Sequence, residues 1–395
     1  MYPLYILSHL LFATAAPLFM AAMLPLSTVI TLGIDKNWQH LQTNIKQPFF
    51  IAALGLSLAL MLSCTLSSDP THSLEAAIKT ALLLLCFAYL WSAKGNSINT
   101  LADDTKRNIT LLFAGSILAI FSLNTFIQQG VLDWDEFKLN RQLVVFALIF
   151  WPLSQHLAHQ TSQKLILVTY ALLVITLLTG FSETATLIFA GATLTYLFFY
   201  YLPGTGRLHT ALLTLLLLTI LFAPILIAAA DPPVLKEFIS TLPSSKQHHY
   251  QIWIDISQQI LAHFPTGIGI NTTRLFNFEA HLEHITRSIH HPHNMVMELL
   301  LELGALGAII IALFISAMIY LFHSTPKPQQ PALAATLVSI AIVYSVAFSV
   351  WQEWRTGAIA FALLLLKELN PKTPNDEITK NHAERMGQTP LNDHK

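Results

Sequence analysis

Three histidines occupy four consecutive positions where a long polar segment gives way to an apolar run, in the sequence HHPHN at residues 290–294. If a helix begins near Asn294, His293 stands beside free backbone N–H groups and the positive end of the helix dipole. That setting disfavours the imidazolium, so His293 stays neutral and able to accept a proton. It also suits a bound anion such as a phosphate. The segment therefore predicts either a proton acceptor beside an anion site or a hydrogen-bonded interfacial histidine with Asn294 as a plain cap.

Two carboxylates and two glycines follow in the same apolar run. Glu298 and Glu302 are four residues apart, and an ionised carboxylate within a membrane helix is costly and tends to mark function. Gly304 and Gly307 allow close helix approach. Glu302 is therefore either a functional residue or the structural partner of a buried donor.

Four arginines form a second set of residues that could take part in binding or catalysis. Arg141 begins an apolar stretch, Arg274 follows GIGINTT, Arg287 precedes the histidines and Arg355 lies in WQEWR. Arginine stays charged and forms bidentate bonds to phosphate oxygens. Each arginine alone suits a lipid-headgroup anchor. Several of them converging on one histidine would make a pyrophosphate site.

Other kinds of chemistry have weaker support. A zinc site needs a set of ligands at defined spacing, and HLEH at 281–284 is the only internal histidine pair with plausible helical spacing. We therefore predict no metal and no cofactor. No phosphate-binding GxxxxGK[ST] and no dinucleotide GxGxxG occurs, so a nucleotide motor is unsupported. The net charge of −1 gives no reason to expect nucleic acid.

The composition shows what must position these residues. Of 395 residues, 54% are hydrophobic and only 11% are charged, against about 25% charged in soluble proteins. Apolar stretches long enough to cross a bilayer recur along the whole chain. The sequence thus predicts an all-α polytopic membrane protein with eleven or twelve spans, depending on whether residues 4–34 form one helix or two. The candidate spans after residue 34 are roughly 48–66, 75–93, 108–127, 142–158, 164–181, 184–202, 208–229, 294–321, 331–350 and 354–367.

Basic residues predict the sidedness and the division of the chain. Lysines and arginines concentrate on alternate short loops, which places those loops in the cytoplasm. We expect an N-terminal transmembrane bundle at 1–230, a large outer loop at 231–293, C-terminal spans at 294–367 and a disordered cytoplasmic tail at 368–395. Within the outer loop, KQHHYQIWIDISQQILAHF has helical spacing with isoleucines on one face, so it is expected to lie as an amphipathic helix on the membrane surface.

Four stretches together resemble one known family. They are HPHNMVMELLLELGALGA (291–308), IWIDISQQILAHFPTGIGINTTR (252–274), LNRQLVVFALIFWPL (139–153) and VWQEW (350–354). They are similar to the His-x-His-Asn opening with Glu-x-Gly-x-x-Gly, the Trp to Pro-x-Gly-x-Gly to Arg segment, the Asn-Arg and Trp-Pro helix, and the Trp-Gln-x-Trp turn of the O-antigen ligase family. That family of bacterial inner membranes shares its C-terminal region with O-antigen polymerases and protein O-oligosaccharyltransferases.

The resemblance implies a GT-C-type helical bundle with one large periplasmic loop that works as a membrane glycosyltransferase. It implies an undecaprenyl pyrophosphate-linked glycan as donor and a sugar of lipid A-core as acceptor, without a metal. Carried onto this sequence, His293 is the expected base, His291 and Asn294 orient it, and Glu302 supports it. Arg141 and Arg274 are expected to hold the departing pyrophosphate.

Two positions depart from the family pattern. An arginine usually stands four residues before the loop tryptophan, where this chain has His249, and Ser-Arg usually begins a mid-chain span, where this chain has Ser182 and Glu183. Either the donor differs, or Arg287 or Lys246 compensates. The donor-binding set predicted here is therefore Arg141, Arg274, Arg287 and His249.

Two alternatives to a ligase stay open. A polymerase or another transferase of lipid-linked glycans needs the same base and cations and differs in its acceptor. A transporter is less favoured, because the chain lacks a visible internal repeat and its ionisable residues cluster at the predicted outer boundary rather than at mid-membrane.

Overall fold

A computed structural model describes most of the chain. The described residues are 20–34, 45–92, 103–131, 136–158, 163–180, 182–203, 206–275, 291–347 and 349–367. The segments 1–19 and 368–395, on which the N-terminal topology and the tail prediction depend, lie outside them, as does Arg287.

The described residues are mainly helical and contain no β-strand. The helices are α1 (Met20–Ile34), α2 (Pro48–Ser63), α3 (Pro70–Ser92), α4 (Asp103–Gln128), α5 (Glu136–Ala158), α6 (Gln163–Thr179), α7 (Glu183–Tyr201), α8 (Gly206–Ala230), α9 (Pro233–Ser240), α10 (Ser244–His263), α11 (Met295–Leu303), α12 (Ala305–His323), α13 (Gln330–Val346) and α14 (Glu353–Lys367). Single 3₁₀ turns lie at Cys64–Leu66, Thr273–Leu275 and Lys327–Gln329.

Seven of the described helical segments are long and apolar enough to cross a membrane. They are Pro48–Leu66, Pro70–Ser92, Arg107–Gln128, Glu183–Tyr201, Gly206–Ala230, Ala305–His323 and Lys327–Val346. Met20–Thr31 and Gln163–Thr179 are shorter apolar helices. The prediction of an all-α polytopic membrane protein is confirmed, whereas the count of eleven or twelve spans stays a prediction.

Helix α13 forms the centre of the bundle. Almost all of its residues are buried, and seven of the seventeen are alanine, serine or threonine. Small residues let neighbouring backbones come close, which favours helix packing within a membrane. Helices α5, α7 and α8 pack around α13, so its C-terminal end is held in a fixed place.

The prediction of one continuous helix from 294 to 321 was wrong. The chain forms the nine-residue α11, breaks at Gly304 and continues as α12. Gly304 has φ +55°, and a Cβ atom there would lie 2.1 Å from the carbonyl oxygen of Pro265. A packed neighbouring loop therefore forces the break, which the local apolar pattern does not reveal.

The amphipathic helix of the long loop is present as α10, but its apolar face does not lie on the membrane surface as expected. Ile252, Ile256 and Ile260 are all buried. They belong to an apolar cluster with residues of α8 and α11. Protein rather than lipid covers this face, so α10 is packed tightly against the segment that carries the histidines.

Candidate active site

Helix α11 begins at Asn294, as the sequence predicts. The Asn294 Oδ1 atom accepts a hydrogen bond from the Met297 backbone N–H at 2.9 Å, and its Nδ2 donates to the Ser345 carbonyl at 3.4 Å. Asn294 is buried. Its side chain therefore caps α11 and also joins the start of α11 to the end of α13.

Three imidazole rings meet just before α11. The ring centroid of His293 lies 4.1 Å from that of His291 and 4.4 Å from that of His249. His249 comes from α10, and one turn further along this helix the Trp253 indole N–H donates to the Pro292 carbonyl at 3.0 Å. Residues four apart lie on one face of a helix, so the same face of α10 carries both contacts to the histidine segment.

The His293 ring is held in its neutral form. Burial and the neighbouring rings of His291 and His249 lower the pKa of His293 to about 2, although a hydrogen bond to the backbone of Ala347 acts in the opposite direction. A hydrogen bond that raises the pKa of a histidine is one that the ring N–H donates. One ring nitrogen is therefore tied to Ala347, and the other carries a lone pair that can accept a proton.

Glu302 accepts hydrogen bonds from several buried donors. The backbone N–H groups of Asn271 and Thr273 donate to its carboxylate at 2.6 and 3.0 Å, and the Thr273 hydroxyl donates at 2.6 Å. The indole N–H of Trp351 donates to the same carboxylate. Glu302 is therefore an acceptor for buried donors, and the segment that it fixes leads directly into Arg274.

Glu298 likewise accepts hydrogen bonds from buried donors, and these lie in the turn between α13 and α14. It accepts hydrogen bonds from the Ser349 hydroxyl and, at 2.8 Å, from the Val350 backbone N–H. Both carboxylates of α11 are buried, and each one holds the turn between α13 and α14. The carboxylates that the sequence singled out thus join α11 to two separate loops.

Arg274 lies on the loop that Glu302 holds. Its Nε donates to the Asn271 carbonyl at 3.0 Å, and its Nη2 is 3.5 Å from the Asp69 Oδ2 atom. The side chain is 27% exposed, so part of it remains accessible.

Arg141 and Arg355 differ in their surroundings. The Arg141 Cζ atom is 6.0 Å from the centre of the Trp354 ring, and its buried Nε has no hydrogen-bond partner among the described residues. Arg355 is 1% exposed, with its Cζ 4.6 Å from the Tyr344 ring centre. Arg355 is therefore an internal residue, so the expectation that it serves as a headgroup anchor was wrong.

The remaining predicted positions are placed as follows. Ser182 caps α7 by accepting a hydrogen bond from Ala185 N–H at 3.2 Å, and Glu183 lies exposed in the first turn. A carboxylate is stabilised at that end of a helix, so this position has a local role that an arginine would not fill. Within the described part of the chain, no group of three His, Cys, Asp or Glu residues is arranged to hold a metal ion.

Sequence reasoning missed the loop between α2 and α3. The Ser68 N–H donates to the Ile268 carbonyl at 3.2 Å, and the Ser73 hydroxyl donates to the Ile270 carbonyl at 2.6 Å. This loop therefore holds the segment PTGIGINTTR (265–274), which is the glycine-rich loop that ends at Arg274. The density of serine in SSDPTHS is the only local signal that it binds another backbone.

The fold and the site define a multi-pass helical membrane protein whose polar residues gather around one short buried helix. Residues 168–312 match the family model described as O-Antigen ligase. The match includes α10, the glycine-rich loop and α11, so the resemblance found from the motifs is confirmed for this region. Arg141, Asp69 and the turn before α14 lie outside it.

Curated relatives point the same way. The chain is 25% identical over 167 residues to "Putative polysaccharide ligase RP358" of Rickettsia prowazekii. The aligned region covers 40% of this chain and 41% of the relative. It is 24% identical over 172 residues to a protein of the same description from Rickettsia typhi, covering 41% and 42%. The chain thus spans about two fifths of these relatives. No solved structure matches it significantly.

Proposed function

We propose that this protein is an O-antigen ligase of the bacterial inner membrane, with a GT-C-type bundle and its site facing the periplasm. It transfers a polysaccharide from undecaprenyl pyrophosphate to lipid A-core, with inversion and without a metal. The observation that carries the proposal is the contact of His249 and His291 with the neutral His293 ring at the capped start of α11. The family match over 168–312 supports the reaction class.

His293 acts as the general base. Its N–H is tied to Ala347, so the other ring nitrogen removes the proton from the acceptor sugar hydroxyl. The hydroxyl oxygen then forms a bond to the anomeric carbon of the donor as the bond from that carbon to the pyrophosphate oxygen breaks. The pyrophosphate leaves with the electron pair, and the ring holds the proton.

The low pKa of His293 makes it a weak base in the empty site. The bound donor raises this pKa. A pyrophosphate bound beside the rings brings negative charge, and a nearby opposite charge favours the protonated form of histidine. The ring is therefore neutral before the donor binds and becomes a better proton acceptor once the donor is present.

The departing pyrophosphate is held by Arg141, Arg274, Arg287 and His249. Arg141 offers a buried Nε that has no hydrogen-bond partner among the residues that the structure describes, and Arg274 is partly exposed. Cations placed where charge develops stabilise the transition state. His291 packs against the base, Asn294 fixes the start of α11, and Glu302 fixes the loop that carries Arg274.

Reconstitution tests this function directly. The full-length protein in lipid vesicles is supplied with an undecaprenyl pyrophosphate-linked glycan and lipid A-core, and the product is examined on gels. A ligase forms glycosylated lipid A-core and releases undecaprenyl pyrophosphate. Lengthening of the lipid-linked glycan without transfer to lipid A-core would instead indicate a polymerase, and no reaction with either acceptor would contradict both.

A further inference from the structure

The loop between α2 and α3 reaches the glycine-rich segment and supplies a carboxylate to its arginine. Ser68 and Ser73 fix the backbone of Ile268 and Ile270. Between these two serines, Asp69 points its Oδ2 atom toward Arg274. The carboxylate is therefore held in place by contacts on both sides of it.

The contact between Asp69 and Arg274 is weak in geometry. One carboxylate oxygen lies 3.5 Å from one guanidinium nitrogen, and the two side chains are 24% and 27% exposed. A guanidinium prefers two parallel bonds to a phosphate or carboxylate. The same Oδ2 atom lies 2.7 Å from the Nδ1 atom of His72, so Asp69 contacts His72 as well as Arg274.

On the basis of the proposed function, we propose that Asp69 is a positioning residue that pairs with Arg274 in the empty site and gives way to the donor pyrophosphate. Before binding, Asp69 keeps the guanidinium aimed across the glycine-rich loop. The pyrophosphate then forms the bidentate contact, and Asp69 stays with His72. Because the lipid product carries the same pyrophosphate, the return of Asp69 to Arg274 also favours product release.

The substitution Asp69→Asn tests this role without removing the start of α3. Asp69 accepts a hydrogen bond from the His72 backbone N–H at 3.3 Å, and asparagine caps helices as well as aspartate does. Glu237→Gln is the control, because it removes one negative charge from an exposed residue of α9. The probe is farnesyl pyrophosphate, titrated by calorimetry into the full-length protein in detergent.

We expect Asp69→Asn to bind farnesyl pyrophosphate about three- to fivefold more tightly than the wild type, as suits the loss of one partly exposed ion-pair partner. The gain should vanish in an Arg274→Ala background and be absent in Glu237→Gln. In the transfer reaction, Asp69→Asn should lower both KM for the donor and kcat, since product leaves more slowly.

Equal or weaker binding by Asp69→Asn, or a gain that persists without Arg274, overturns the inference while leaving the ligase proposal standing. If the wild type fails to bind farnesyl pyrophosphate at all, the donor assignment is wrong and the inference is wrong with it.

Discussion

The imidazole rings of His249 and His293 lie 4.4 Å apart, although one belongs to α10 and the other to the segment that leads into α11. Trp253 holds these two elements together through the Pro292 carbonyl. A residue of the long loop thus reaches the predicted base directly. His249 is therefore part of the candidate site, which its position in the sequence does not show.

We expect His249→Ala to lower kcat/KM for glycan transfer about tenfold, since the proposed contact with the departing pyrophosphate is lost. His249→Arg should retain most of the activity, because a guanidinium binds phosphate at least as well as an imidazole. The measurement is the initial rate in reconstituted vesicles. If the arginine variant is as inactive as the alanine variant, a neutral ring is required beside His293, and the phosphate role of this position is wrong.

The Glu302 carboxylate is predicted to matter for stability as well as for the site. Glu302→Gln replaces one acceptor oxygen by an NH₂ group, so one pair of donors loses its acceptor, either the two groups of Thr273 or those of Asn271 and Trp351. Leaving buried donors unsatisfied costs about 1–3 kcal/mol. We expect a lower melting temperature in detergent together with weaker binding of farnesyl pyrophosphate, because the loop before Arg274 loosens.

Glu237→Gln is the control for that prediction, since Glu237 is exposed on α9. A Glu302→Gln protein that melts at the wild-type temperature would show that the hydrogen bonds to this carboxylate contribute little to the fold.

Gly304→Ala tests the break between α11 and α12. The residue has φ +55°, and a Cβ atom would meet the Pro265 carbonyl oxygen at 2.1 Å, so both backbone strain and a clash oppose the substitution. We expect a loss of at least about 2 kcal/mol in unfolding free energy. Gly55→Ala is the matched control, because it lies within α2 with nothing within 4 Å of the added Cβ. Equal melting temperatures for both variants would contradict the packing described for this break.

The neutral state of His293 predicts how stability depends on pH. Because the pKa of His293 is lowered to about 2 in the folded protein and is about 6.5 in an unfolded chain, the unfolded state binds the proton more readily. Stability is therefore retained above about pH 6.5 and falls as the pH drops below it, by at most about 1.4 kcal/mol per pH unit.

The measurement is the melting temperature of the wild type and of His293→Gln between about pH 7 and about pH 5. Glutamine does not titrate, so the wild type should lose more stability than the variant over this range. Parallel curves for the two proteins would show that the ring is not buried in its neutral form.

The sequence predicted the parts of this protein that depend on local pattern. Apolar runs predicted the helices, and Asn294 predicted the start of α11, because a cap is a local feature. The histidine segment and Arg274 were found through motifs in one stretch of chain. All of these signals lie within a few residues of the feature that they predict.

The parts that the sequence did not predict depend on contacts between distant segments. The break at Gly304 depends on the carbonyl of Pro265, and the place of Asp69 depends on Arg274, far away along the chain. The apolar face of α10, which includes Ile256, was predicted to lie on the membrane surface. Lipid and protein interior favour the same apolar side chains, so the sequence does not distinguish the two. The burial of Arg355 was likewise not predicted, since exposure cannot be seen in a single sequence.

Transfer by His293→Gln in reconstituted vesicles tests the central claim most directly, with donor binding measured on the same preparation. His323→Gln is the control, because this exposed histidine ends α12 and touches none of the three rings. We predict that His293→Gln binds farnesyl pyrophosphate but transfers no glycan to lipid A-core, while His323→Gln does both at the wild-type level. Transfer by His293→Gln at the wild-type rate would contradict the assignment of His293 as the base.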